Sequence, residues 1–199
     1  MTSRIGFIGL GLMGTPIALK MLDAGYRVTV WGRSEEKLQP ALEKGAVAAA
    51  SARAVAEASD VVFLCVTDTN AVEAVVFGAD GIAQGGGAGK VLVDHSSIKP
   101  EATRSFATRL REQCDMSWID APVSGGPAGV ERGTLVVMAG GDEGSHAKVC
   151  DIVSSYAARF TLMGPTGAGQ ATKLVNQTLV AVHVAIVAEA TQLALDAGI

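Results

Sequence analysis

Short apolar runs alternate with longer segments of mixed polarity along the first 164 residues. The apolar runs, which predict strands, are residues 5–8, 27–31, 47–49, 60–66, 90–94, 118–120, 135–139 and 159–163. The segments between them predict helices at 35–44, 52–58, 69–77, 99–113 and 142–156. Most of the runs are apolar throughout, which is typical of strands covered on both faces. The pattern therefore predicts an α/β domain with a doubly wound, mostly parallel sheet.

The character of the chain changes after residue 164. Residues 171–197 contain no glycine or proline and predict one long helix. Its middle part, 179–188, is apolar on nearly every side, as in helices buried inside a larger structure. We therefore divide the chain into one domain at 1–164 and the start of a second at 165–199. Either a partner chain or further sequence is expected to cover the helix, and we favour further sequence, with dimerisation in addition.

A glycine cluster of the form GxGxxG lies between the first predicted strand and a helix-like run at 16–22. In a dinucleotide site the first glycine permits a tight turn, the second lets the backbone approach the pyrophosphate, and the third lets the helix pack closely on the strand. The helix N-terminus adds free N–H groups and a partial positive charge. The alternative is a glycine-rich turn without a ligand, but the strand–turn–helix context favours a Rossmann-type cofactor domain. The predicted cofactor-binding residues here are Gly9, Gly11, Leu12, Met13 and Gly14.

The end of the second predicted strand indicates which dinucleotide is bound. An NAD site usually has an acidic residue there to hold the ribose 2′-hydroxyl, whereas this chain has Arg33 and Ser34. A guanidinium binds a 2′-phosphate through paired hydrogen bonds, and a carboxylate would repel it. We therefore predict NADP in preference to NAD. In the alternative interpretation Arg33 is a solvated surface residue and Ser34 caps the next helix.

The composition and charge of the chain limit the classes of partner and site that we expect. The net charge is −4 and no block of like charge occurs, which argues against nucleic acid or an anionic membrane as partner. No run reaches the roughly eighteen apolar residues of a membrane span. The three scattered cysteines contain no CxxC pair and indicate a reducing, cytoplasmic setting. We predict no metal site, a core position for Cys65, and packed, hydrogen-bonded side chains for His95 and His183.

A Ser-Gly-Gly sequence follows the predicted strand at 118–120. The carboxyl end of a strand is where open α/β sheets bind ligands. The hydroxyl of Ser124 and the exposed N–H groups of Gly125 and Gly126 suit a substrate carboxylate. The alternative is a wide turn that leads to the next strand.

The start of the long helix carries a second polar group. Lys173, Asn176 and Gln177 fall at i, i+3 and i+4, on one helix face. Lys173 is the only basic residue after Arg159. Burial would lower its pKa and suit it to give a proton to a carbonyl that is being reduced. The alternative is a lysine that extends to solvent at the helix start.

Four motifs together resemble the β-hydroxyacid dehydrogenase family, which includes 3-hydroxyisobutyrate dehydrogenase, tartronate semialdehyde (2-hydroxy-3-oxopropionate) reductase and the glyoxylate/succinic semialdehyde reductases. They lie at 7–14, 93–97, 120–126 and 167–176. The resemblance implies that Lys173 is the catalytic acid/base. It assigns substrate binding to Ser124, Gly125, Gly126, Asn176 and Gln177. It places Ser96 near the nicotinamide and Val66, Thr67 and Asp68 along the cofactor.

Members of the family have a second, all-helical domain that begins with this long helix and continues with several more. The apolar helix itself, rather than the resemblance, leads us to expect a homo-oligomer. The segment 32–34 is similar to NADP-type members, although many of those have Asn where this chain has Gly32. We expect hydride transfer between NADP(H) and a small β-hydroxy acid or its semialdehyde. The rivals are an imine reductase, which generally lacks the lysine, a 6-phosphogluconate dehydrogenase, and a noncatalytic NADP-binding module.

Overall fold

The computed structural model describes residues 3–199, which form nine strands and nine α-helices. The strands are β1 (Ile5–Ile8), β2 (Val28–Trp31), β3 (Val47–Ala48), β4 (Val61–Leu64), β5 (Val91–Asp94), β6 (Ser117–Asp120), β7 (Val123–Ser124), β8 (Val136–Gly140) and β9 (Arg159–Gly164). The helices are α1 (Gly14–Asp23), α2 (Gln39–Glu43), α3 (Ala52–Ala58), α4 (Thr69–Phe77), α5 (Ile82–Gly85), α6 (Pro100–Cys114), α7 (Gly126–Glu131), α8 (Glu143–Ser154) and α9 (Ala168–Asp196), and a 3₁₀ turn, Glu36–Leu38, precedes α2.

The strands form one sheet in the order β3-β2-β1-β4-β5-β6-β8-β7, with β9 paired to β8. Strands β1 to β6 are parallel to one another, and β8 is antiparallel to β6 and β7. The first six strands thus have the order 3-2-1-4-5-6 of a Rossmann fold, which confirms the predicted fold class. The order reverses between β1 and β4, and open α/β sheets bind ligands at such a reversal.

Helices cover both faces of the sheet. On one face, Phe7 and Phe63 stack with ring centroids 6.2 Å apart, beneath α1, α7 and α8. On the other face, Ile8 and Leu64 pack under α3 to α6. Every residue of β1, β4 and β5 is buried. This explains the continuous apolar runs, because a strand with two buried faces has no solvent side on which polar residues would stabilise it.

Three short elements differ from the sequence prediction. A strand, β7, and a helix, α7, stand where a wide turn was the alternative, and α5 lies in a stretch that was not predicted to be regular. Each of the three has at most six residues. That is too short for either hydrophobic period to be recognised in the sequence.

The long helix α9 begins at Ala168, three residues before the predicted start. Of its 29 residues only Gly169 and Gln170 are buried, so its apolar surface is exposed. By length and composition the helix could cross a membrane. The sequence prediction concerned an unbroken run of about eighteen apolar residues, and none occurs here, because His, Thr and Gln residues interrupt the apolar run without making its average polar. Length and composition by themselves are a weak criterion, since core helices of soluble proteins also meet it.

Candidate functional site

The turn from β1 into α1 accepts only glycine at two positions. Gly9 has φ +94°, and a Cβ atom there would lie 2.2 Å from the carbonyl oxygen of Cys65. A Cβ atom on Gly14 would lie 2.0 Å from the carbonyl oxygen of Gly9. Helix α1 therefore starts directly against the end of β1, at the point where the strand order reverses.

The residues between these glycines leave room for an anion. A Cβ atom on Gly11 would meet no atom within 4 Å, and Leu12 is 82% exposed. Within residues 3–199 the amides of Leu12 and Met13 donate no hydrogen bond. Free amides at the N-terminus of a ten-residue helix match the requirements of a dinucleotide pyrophosphate.

A cavity of about 430 Å³ extends from this turn along the ends of β2 and β4. Its lining includes Arg33, Ser34 and Lys37 after β2 and Val66 and Thr67 after β4. Among the described residues, no acidic side chain lines it. The sequence analysis missed Lys37, although it lies four residues after Arg33 and could have been found by following the turn that leads into α2.

Five of the predicted cofactor-binding residues do not line this cavity, namely Leu12, Met13, Gly14, Asp68 and Ser96. The carboxylate of Asp68 caps α4, accepting hydrogen bonds from the amide of Ala71 at 2.9 Å and the hydroxyl of Thr67 at 2.8 Å. These two bonds hold the pKa of Asp68 below its usual value. Ser34 does not cap the following helix through its side chain, so that half of the alternative was wrong, whereas Arg33 is exposed, as the other half stated. The hydroxyl group of Ser34 thus remains available to the cavity.

Ser96 is buried beneath the cavity, where it connects two strand ends. Its hydroxyl accepts a hydrogen bond from the amide of Val66 at 3.0 Å, and its own amide donates to Asp94 Oδ1 at 2.9 Å. Burial raises the pKa of Asp94 to about 7. Within the described residues Asp94 Oδ2 has no hydrogen-bond partner, which a protonated carboxyl group tolerates better than a carboxylate.

Asp120, at the end of β6, holds the first turn of α9. Its Oδ1 atom accepts from the amide of Gly167 at 2.7 Å, and its Oδ2 atom accepts from the amide of Gln170 at 2.9 Å. Burial raises the pKa of Asp120, and these hydrogen bonds oppose the rise. The carboxylate satisfies amides that a helix start leaves unpaired, which explains why α9 begins earlier than its apolar pattern.

His95 is packed and hydrogen-bonded, as predicted. Its Nδ1 atom lies 2.6 Å from the carbonyl oxygen of Ala121, and its Nε2 atom lies 2.7 Å from the hydroxyl of Tyr156. A carbonyl only accepts, so Nδ1 carries the proton and Tyr156 donates to Nε2. Burial lowers the pKa of His95 to about 4. For His183 the prediction of packing was wrong, because this side chain is exposed on α9, where it bonds the carbonyl of Leu179.

The predicted substrate loop joins β7 to α7. Ser124 is the last residue of β7, paired with Val136 of β8. Gly125 and Gly126 follow with φ values of +127° and +63°, a backbone conformation that side chains disfavour. Gly125 is exposed, and Ser124 and Gly126 are half-buried. The loop thus presents a hydroxyl and glycine backbone at the end of the parallel part of the sheet.

Lys173 reaches this loop from α9. Its Nζ atom donates a hydrogen bond of 2.8 Å to the carbonyl oxygen of Val123, directly before Ser124. The side chain is half-buried, and burial lowers the pKa of its ammonium group, as predicted. One turn further along α9, Asn176 is half-buried and Gln177 exposed, with Asn176 Nδ2 3.4 Å from Gln177 Oε1.

Comparison with known proteins identifies the family. Residues 4–164 match the family model described as the NAD binding domain of 6-phosphogluconate dehydrogenase. The chain is 43% identical over 197 residues to 2-hydroxy-3-oxopropionate reductase of Escherichia coli, covering 98% of this chain and 66% of that protein. It belongs to the β-hydroxyacid dehydrogenase family. The resemblance found in the sequence motifs is thereby confirmed.

Solved structures of similar proteins superpose on nearly the whole chain. The 3-hydroxyisobutyrate dehydrogenase of Mycobacterium tuberculosis with L-serine gives a TM-score of 0.91 at 29% identity, covering 100% of this chain and 67% of that one. Psf3 in complex with NADP+ and 2-OPP gives a TM-score of 0.91 at 29% identity, covering 98% of this chain and 69% of that one. An imine reductase from Pseudomonas sp. shares the fold, with a TM-score of 0.89 at 23% identity, covering 100% of this chain and 68% of that one. The chain spans about two thirds of the length of its curated relatives.

Proposed function

We propose that the protein is an NADP(H)-dependent oxidoreductase of small β-hydroxy acids and their semialdehydes. The observation that carries this proposal is the contact of Lys173 Nζ with the carbonyl of Val123, the residue directly before Ser124. The relative named 2-hydroxy-3-oxopropionate reductase supports this substrate class, since a semialdehyde of that kind carries both a carbonyl and a carboxylate.

The cavity and the start of α1 next to it would hold the cofactor. The free amides of Leu12 and Met13 suit its pyrophosphate, and the cations of Arg33 and Lys37 suit a 2′-phosphate. The absence of an acidic side chain among the described lining residues favours NADP over NAD. A bound nicotinamide would supply or accept the hydride.

Lys173 would move the proton. Burial lowers the pKa of its ammonium group, so the proton is released more readily than from a solvated lysine. During reduction Lys173 gives this proton to the alkoxide oxygen that forms from the aldehyde, and during oxidation it takes a proton from the hydroxyl. Its hydrogen bond to the backbone carbonyl of Val123 directs the ammonium group towards the substrate loop.

The substrate loop would orient the reacting carbonyl. The Ser124 hydroxyl and the backbone amides of Gly125 and Gly126 hold the substrate carboxylate, and Asn176, with Gln177 beside it, contacts the polar groups at the other end of the substrate. Fixing the carboxylate in this way places the carbonyl within reach of the ammonium group of Lys173.

Cofactor choice is tested by fluorescence titration with NADPH and NADH. We expect NADPH to bind at least about tenfold more tightly, a difference of about 1.4 kcal/mol. Arg33→Ala should remove most of that preference and leave NADH binding unchanged. The control is Arg27→Ala, which removes an exposed arginine just before β2, at the opposite end of that strand. Equal binding of both nucleotides by the unmodified protein would refute the NADP assignment.

Catalysis is tested with Lys173→Ala in the protein expressed from its complete gene. With tartronate semialdehyde and 3-hydroxyisobutyrate as substrates, we expect turnover to fall by about 10² or more while NADPH affinity is retained. Lys148→Ala, which removes an exposed lysine on α8, is the matched control. Unchanged turnover in Lys173→Ala would remove this residue from the mechanism. NADPH binding without turnover of any such substrate would favour a noncatalytic module.

A further inference from the structure

Gln170 connects the cofactor side of the site to the helix that carries Lys173. Its Nε2 atom donates a hydrogen bond of 2.6 Å to the carbonyl oxygen of Ser96, and its Oε1 atom accepts from the amide of Ile98 at 3.2 Å. The side chain is 2% exposed. Both ends of the carboxamide are thus satisfied by the backbone of the loop after β5, 72 and 74 residues away in sequence.

This loop is itself bound to the wall of the cavity. The Ser96 hydroxyl accepts from the amide of Val66, which lines the cavity. At the other end, Lys173 follows Gln170 by three residues on α9 and donates to the carbonyl of Val123. The hydrogen bonds therefore form one path from the cavity wall, through the loop and Gln170, to α9 and the substrate loop.

We propose that Gln170 is a positioning residue that sets the distance between the cofactor cavity and the ammonium group of Lys173. The inference rests on the proposed function, because it assigns the carboxamide a role in aligning hydride and proton transfer. Asp120 fixes the start of α9 through the Gly167 and Gln170 amides, but only the Gln170 side chain reaches the loop after β5 in these contacts. Loss of the carboxamide would leave α9 anchored and the loop free to shift.

Geometry of this kind affects rate more than affinity. A misplacement of about 1 Å in a reacting pair can lower turnover by about 10²-fold. For Gln170→Met, which keeps the length and loses both hydrogen bonds, we expect kcat to fall by about 10- to 100-fold. The dissociation constant of NADPH should change less than about threefold, because Gln170 does not line the cavity. The deuterium isotope effect on kcat with NADPH labelled at the transferred position should increase, since hydride transfer becomes slower than product release.

Gln170→Glu provides a readout that a merely structural role would not change. A glutamate keeps the acceptor for the Ile98 amide, but when ionised it places a second acceptor against the Ser96 carbonyl. Burial raises the pKa of such a carboxyl group, and the protonated form donates again to Ser96. We therefore expect the kcat of Gln170→Glu, relative to the unmodified protein, to recover as the pH is lowered.

The experiment combines turnover with amide hydrogen exchange, and Thr172→Val serves as control. That variant removes a half-buried hydroxyl whose one hydrogen bond within residues 3–199 is to the Ala168 carbonyl of α9. In Gln170→Met the Ile98 amide should exchange at least about tenfold faster, while β1 and β4 stay protected. A general rise in exchange, an unchanged Ile98 amide, or normal kcat and isotope effect in a folded Gln170→Met protein would overturn the inference. An inactive unmodified protein with fast Ile98 exchange in Gln170→Met would refute the proposed function alone, because the Gln170 link would then be present.

Discussion

Replacing His95 with glutamine should destabilise the protein less at pH 5 than at pH 7. The imidazole is 3% exposed, and burial lowers its pKa to about 4. At pH 7 the ring is neutral in the folded state and mostly neutral in the unfolded state. The substitution then removes two buried hydrogen bonds and the ring's packing against Phe63, with centroids 5.6 Å apart. We expect this to cost about 2–3 kcal/mol.

Lowering the pH changes that cost with a definite sign. A histidine in the unfolded chain has a pKa of about 6.5 and is almost fully protonated at pH 5, whereas folded His95 stays almost entirely neutral. The unfolded state therefore binds nearly one more proton, and the stability that neutral His95 supports is lost as the pH falls from about 6.5 towards 4. Integrated from pH 7 to pH 5, this loss is about 2 kcal/mol. The His95→Gln protein has no imidazole at this position and does not lose this stability at low pH. The difference in the free energy of unfolding between the two proteins is therefore smaller at pH 5 by about 2 kcal/mol.

The assay is urea unfolding at both pH values, followed by the fluorescence of Trp31 and Trp118. Comparing the two proteins cancels other groups to a first approximation. This comparison is needed because Asp94 also titrates in this range, with its pKa raised to about 7. Asp94 contributes stability that is lost as the pH rises, whereas His95 contributes stability that is lost as the pH falls. His183→Gln, which removes an exposed imidazole, is measured alongside. An equal or larger destabilisation by His95→Gln at pH 5 would refute the neutral, buried assignment.

Three further variants test the glycine turn and the start of α9. Gly14→Ala should lower the melting temperature and abolish NADPH binding, because its Cβ would lie 2.0 Å from the Gly9 carbonyl oxygen. Gly11→Ala should leave the melting temperature unchanged, since its Cβ would meet no atom within 4 Å. It should still weaken NADPH binding, which nucleotide titration measures. Asp120→Asn should cost about 1–3 kcal/mol in urea unfolding, because its amide group would face one of two backbone N–H donors. A fully stable Asp120→Asn protein would contradict the capping role.

Residues whose role depends on local chain geometry could be recognised in the sequence. Gly9 and Gly14 follow a strand at a spacing that only a turn into a helix requires, and the structure places both where a Cβ atom would clash. Lys173 was singled out because it is isolated on an apolar helix, and it is half-buried with its pKa lowered. The order of apolar, polar and glycine residues over about ten positions is enough to predict a helix, a strand or a tight turn.

The sequence by itself therefore determined the alternating strands and helices, the glycine turn, and the residue types of the candidate site. Only the tertiary structure decided that Lys37 lines the cavity with Arg33, that Ser96 lies beneath it, and that Asp120 and Gln170 hold α9 against two strand ends. The hydrogen bonds of Asp120 and Gln170 join residues 47 to 74 positions apart. No local period records such contacts, because they exist only once the parallel sheet brings the carboxyl ends of its strands to one edge.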